Sequence, residues 1–147
     1  MDIIQSRDYQ QIVQEQIYDT IDFLLAKNQE FAITANSDHT TFNPQLPQAI
    51  NDTFAQFTTF VLKNYTYTTI NLTTETISFE AGFGKENFGS VVTIPLLAIF
   101  QILIEDSILY LNPSATIKDI LLEENMEIDP QIKSRNMFLK NNKNLFK

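Results

Sequence analysis

The sequence predicts an α+β fold: a long N-terminal helix packed on a strongly bent, mostly antiparallel sheet that opens into a partial barrel. A second short helix after Pro95 and a flexible C-terminal tail complete the expectation. Three observations carry it. Apolar side chains recur at helical spacing from Tyr9 to Lys27, residues 31–94 change to short β-rich runs broken by turns, and the charge pattern changes after Asn112. The 147 residues and 44 % hydrophobic content suit one domain with a full core. Its expected extent is 1–112, with 113–147 as linker and tail.

Taken in order, Val13, Ile17, Ile21, Leu24 and Leu25 make one stripe of the first helix, with Ile12 widening it. Ser6 or Asp8 can cap its start and Asn28 can end it. Phe31 to Ala35 is a strand, followed by a polar turn. Pro44 and Pro47 bracket a segment suited to neither a helix interior nor a central strand. Gln56 to Leu62, Tyr65 to Leu72 and Glu75 to Phe83 read as strands rich in Thr, Phe, Tyr and Ile. In the last of these, Ile77, Phe79, Ala81 and Phe83 share a face. All three glycines, Gly82, Gly84 and Gly89, lie within eight residues, so one hairpin bend needs permissive angles or close backbone approach. Ser90 to Ile94 is a strand. Pro95 suits the first turn of a helix through Ile104, whose Leu96, Leu97, Ile99, Phe100 and Leu103 predict burial. Ser107 to Leu111 is a final strand, and Asn112-Pro113 closes the compact region.

Composition excludes much chemistry. There is no Cys, which removes disulfides, thiolate nucleophiles and Cys-ligated zinc. The single histidine, His39, sits in a polar turn, and no Asp/Glu spacing matches a calcium loop or zinc motif, so neither metal nor cofactor is expected. The glycine cluster joins two strands and lacks the lysine–hydroxyl pair of a phosphate loop. Glu80 and Glu86 have no context that makes them a catalytic pair. An enzyme is not expected. Residues 1–112 hold 13 acids against 4 bases, so the body repels phosphate backbones and nucleic acid is not an expected partner. The N-terminus lacks a signal-peptide pattern, and the longest mainly apolar run, Ile94 to Ile104, is too short for a bilayer. A cytoplasmic protein without a membrane partner is expected. What remains is an apolar strand face, either ordinary core or a groove in which Ala81 leaves room for another chain.

The stretch Ile77-Ser78-Phe79-Glu80-Ala81-Gly82-Phe83-Gly84, with Val92-Thr93-Ile94-Pro95-Leu96-Leu97-Ala98-Ile99-Phe100, resembles the stringent starvation protein B family. That family delivers tagged proteins to the ClpXP protease, and its pattern has a Phe-x-Ala-Arg-Phe-Gly-Gly strand and turn, a strand ending in Val-Pro, then an apolar helix. The order of elements matches over roughly residues 10–112. The family arginine is Gly82 here, the second turn glycine is Lys85, and the turn is about two residues longer.

The resemblance implies an adaptor that holds an ssrA-like peptide in an apolar groove lined by Phe79, Ala81, Phe83 and Gly84. It implies docking on a ClpX-type AAA+ unfoldase through an apolar-basic tail segment, here Leu145, Phe146 and Lys147. It also implies a homodimer built on the N-terminal helix, through Val13, Ile17, Ile21 and Leu24. A small acidic secretion-type chaperone is the alternative, although its usual order places a helix between later strands.

Overall fold

A computed structural model describes residues 3–117. The predicted helix is present as α1, Arg7–Ala26. Ser6 caps it, its hydroxyl accepting from the Tyr9 N–H at 3.3 Å. Asn28 ends it in the left-handed region at φ 57°. The Asn28 and Gln29 amides turn back to the Leu25 and Leu24 carbonyls, which satisfies the free helix end.

The strands form two four-stranded antiparallel sheets rather than one bent sheet, and neither closes into a barrel. The first sheet contains β1 (Phe31–Asn36), with further strands numbered in chain order: β2 (Thr41–Asn43), β3 (Phe57–Leu62), β4 (Asn71–Leu72), β5 (Thr76–Phe83), β6 (Phe88–Pro95), β7 (Ile99–Ile104) and β8 (Ser107–Leu111). Spatial order is β3-β1-β7-β8 in the first sheet and β2-β6-β5-β4 in the second. Two short helices, α2 (Gln48–Asn51) and α3 (Asn64–Thr68), lie in the connections before and after β3.

Two predicted elements are corrected. Pro95 does not open a helix: Leu96–Ala98 is a single 3-10 turn, and Ile99–Ile104 is strand β7 between β1 and β8. A run that is apolar on every side suits a central strand as well as a buried helix, and periodicity cannot separate them. Four residues of the expected strand Tyr65 to Leu72, Tyr65 to Thr68, belong instead to α3, and only Asn71–Leu72 pair with β5.

The core lies between the inner faces of the sheets and α1. Val13, Ile17, Ile21 and Leu24 are no more than 3 % exposed and pack with Ile33, Ile77, Ile94, Leu96 and Ile102. These four helix residues therefore cannot form a dimer surface, because the stripe is consumed by the chain's own core. Packing also runs past the expected boundary at 112. Asn112 is buried, its amide donating to the Leu97 and Ile99 carbonyls at 3.2 and 2.9 Å, and its Oδ1 accepting from the Ser114 backbone and hydroxyl. Ser114 and Ala115 are buried and Ile117 packs on the core. The body thus extends at least to Ile117. Among the described residues, no helix is long and apolar enough to cross a membrane.

Candidate functional site

Strand β5 alternates as its sequence predicts. Ile77, Phe79, Ala81 and Phe83 face inward opposite Ile94, Val92, Ser90 and Phe88 of β6, while Ser78, Glu80 and Gly82 face outward. Burial is not uniform along this face. Phe79 is 1 % exposed, Ala81 and Phe83 are half-buried, and Gly84 is exposed. Phe79 is therefore a core residue, whereas Ala81, Phe83 and Gly84 keep surface open to solvent.

Five rings continue this face between the sheets. Phe60 of β3 meets Phe79 edge-on at 5.8 Å, and Phe54 meets Phe60 at 6.3 Å and Phe83 at 5.9 Å. Phe42 of β2 packs on both Phe54 and Phe83 at 5.7 Å. Edge-to-face pairs of this kind add about 0.5–1.5 kcal/mol each beyond simple burial. The rings bridge two sheets that no strand ladder joins. Phe54 lies in a loop, so no periodicity signals it. Phe60 is legible only as one inward position of β3.

The glycines have separate roles. Gly84 sits at φ 73° with the Ile50 side chain beside it, so it supplies the turn conformation. At Gly82 a Cβ would lie 1.7 Å from the Asn87 side-chain oxygen, so a larger residue there needs that flexible side chain to turn aside. Asn87, itself at φ 55°, comes from the longer turn, and its carboxamide fills the place where a side chain at residue 82 would begin. Gly89 has open space around it and no such requirement.

The outer edge of β5 completes the site. On that side β4 pairs only with Ile77 and Ser78. The next outward amide, Glu80 N–H, is taken by the Thr69 hydroxyl at 2.8 Å, and the Tyr65 hydroxyl donates to the Glu80 carboxylate at 3.2 Å. That hydrogen bond, then the carboxylate's charge, raises the Tyr65 phenol above its ordinary range. Because hydrogen-bonded and non-bonded pairs alternate in an antiparallel ladder, the Glu80 carbonyl and both polar groups of Gly82 point away from β6. Among the described residues, no strand covers them. The edge of β5 therefore keeps unpaired backbone groups at Glu80 and Gly82, beside the Phe60–Phe79 contact that links β5 to β3. Tyr65 and Thr69 hold it at Glu80, Phe54 packs on Phe83, and Ile50 lies beside Gly84.

Catalytic chemistry has no comparable arrangement among the described residues. His39 lies half-buried at the end of a 3-10 turn, and no group of His, Asp and Glu is placed to hold a metal ion. The expected docking residues Leu145, Phe146 and Lys147 lie outside the described residues. No protein-family model matches the sequence, and no curated protein matches it.

Proposed function

We propose that the protein is a polypeptide-binding adaptor: the cleft along β5 holds an extended tag on a substrate protein, and the chain beyond the body brings the complex to a ClpX-type AAA+ unfoldase. The observation that carries this reading is the uncovered edge of β5 beside Ala81 and Phe83. An extended peptide can satisfy the Glu80 carbonyl and the Gly82 backbone as an added strand, while its side chains reach the half-buried rings. Ala81 is small at the level where that backbone passes. Gly82, with Asn87 in place of a long side chain, leaves no cation on this strand, so the tag is read through backbone and apolar groups rather than through an acidic side chain.

Delivery uses the remainder of the chain, where residues 130–147 contain five bases and no acid, with Met137, Phe138, Leu139, Leu145 and Phe146 among them. A tether raises the local concentration of substrate at the unfoldase without a new contact. Such a protein works in the cytoplasm. The secretion-chaperone alternative gains α3 as a helix between later strands, but five residues capping the edge of β5 do not make a helical layer.

Fluorescence anisotropy with labelled ssrA-like and scrambled peptides tests the proposal. Ala81→Gln is expected to weaken binding at least tenfold, about 1.4 kcal/mol, while the urea midpoint changes little. Removing the last dozen residues is expected to abolish delivery in a degradation assay and to leave peptide affinity unchanged. Normal peptide binding by Ala81→Gln, or its unfolding, rejects the cleft.

A further inference from the structure

The free edge of β5 is contested by the chain itself. A strand added antiparallel to it bonds best where one residue exchanges both its N–H and its C=O with a single partner. Of Glu80 and Gly82, whose polar groups point away from β6, only Gly82 offers both, because the Glu80 amide is held by the Thr69 hydroxyl at 2.8 Å. A strand can thus take one full pair while Thr69 stays in place, and two when it withdraws. The segment that carries Thr69 is weakly held. Helix α3 has five residues, far below the roughly 12–15 at which a helix becomes stable by itself, and none of them is buried. No side chain caps its start, and Asn64 enters it in the left-handed region at φ 54°. Besides the Thr69 bond, Glu80 receives the Tyr65 hydroxyl at 3.2 Å, from a residue that is 67 % exposed. Tyr67 opposes closure: its ring packs on Phe31 of the other sheet, but its hydroxyl is buried without a partner among the described residues. Lifting α3 returns that hydroxyl to water, which offsets part of the lost ring contact. The Asn64 amide, donating to the Glu30 carboxylate at 2.7 Å, and the pairing of Asn71–Leu72 with β5 fix the two ends between which the segment can swing.

We propose, resting on the polypeptide-binding reading above, that α3 with Thr69 is a displaceable cap on the β5 edge, and that an arriving strand lifts it to pair with Glu80 as well as Gly82. Glu80 is then the residue at which the chain's own hydroxyl and the partner's backbone compete for one amide. Tyr65 sets how firmly the cap is shut, and Tyr67 sets how readily it lifts. The free protein is mostly closed, so the affinity for a strand is reduced by the fraction of molecules that are open. A strand that holds the cap open must present an N–H and a C=O at two residues spaced by two. An extended tag without proline at either position meets that condition, since proline has no N–H to give.

Amide hydrogen exchange of the free full-length chain, followed residue by residue by NMR, tests the cap beside anisotropy with the labelled ssrA-like peptide. Tyr65→Phe removes a bond that closes α3 without touching the Glu80 amide. It is expected to speed exchange at that amide about two- to fivefold and to tighten peptide binding by the same factor, because both follow the open population. Tyr67→Phe keeps the ring and removes the hydroxyl that opening releases. It is expected to slow exchange at the Glu80 amide about fivefold and to weaken peptide binding equally. The thermal transition of each variant shows that the fold is retained. Unchanged exchange at Glu80 in both variants overturns the cap, and so do shifts of the same sign. Exchange that shifts as expected while peptide affinity stays constant also overturns it, since α3 then moves without gating the edge. A peptide that binds no form of the protein sinks the adaptor reading instead, and exchange at Glu80 then decides the cap alone.

Discussion

Tyr67 carries a hydroxyl that is buried and has no hydrogen-bond partner among the described residues. Its ring packs edge-on to Phe31 at 6.3 Å, so the apolar part of the residue is well placed while its polar tip is not. Burial, and then the charge of Glu30, hold its phenol above the usual range. Tyr67→Phe keeps the ring and removes the unsatisfied group. The variant is expected to be more stable by about 1 kcal/mol, read as a higher urea midpoint at unchanged slope. Such details escape the sequence. Residue type placed Ala81 and Phe83 on one strand face correctly, but whether Phe79 beside them touches ligand or core depends on Phe60, which arrives from the other sheet. The contact of Asn87 with position 82 is likewise distant in sequence, because the turn must fold the asparagine back over the strand.

Strand β8 is tied to α1 by one side chain. The Tyr110 hydroxyl donates to Gln16 Oε1 at 2.7 Å, and burial first, then the neighbouring Tyr9, raises its phenol. The folded state thus favours the neutral form. This contribution to stability is fully present below the unfolded phenol value near 10 and is lost as pH rises toward the folded value. Urea midpoints measured from pH 7 to 11 should fall above about pH 9–10, and Tyr110→Phe should show a shallower fall from a starting point lower by about 1 kcal/mol. At this scale the sequence was legible wherever a segment has two different sides. Helix α1 and strands β1, β3, β5 and β8 were recognisable from their periods and caps. Strand β7 was not, because Ile99–Ile104 is apolar at every position except Gln101 and so short a run fits either period. The Tyr65 to Leu72 run failed for another reason: Asn64 takes a left-handed conformation at φ 54°, which starts a turn despite the β-branched residues that follow.

Across the whole molecule, the acidic body and the change in charge after it are visible in composition, but the packed body runs past Asn112 to Ile117. Nothing in Asn112-Pro113 announces that the asparagine is buried and caps two carbonyls of the Leu96–Ile99 turn. Truncation after Ile117 is expected to keep the thermal transition of the full chain within a few degrees. Truncation after Asn112 removes the Ser114 hydrogen bonds and the burial of Ala115 and Ile117, a loss of roughly 2–3 kcal/mol. That corresponds to a midpoint lower by about 10 °C in a scanning calorimeter. The aromatic bridge between the sheets has a consequence of a different kind. Each sheet keeps its own ladder, and the rings of Phe54, Phe60 and Phe79 act as spacers between them. An evolving lineage can therefore widen or narrow the gap by exchanging one spacer for a smaller or larger side chain, leaving both registers intact, and so acquire new preferences without inventing a new fold.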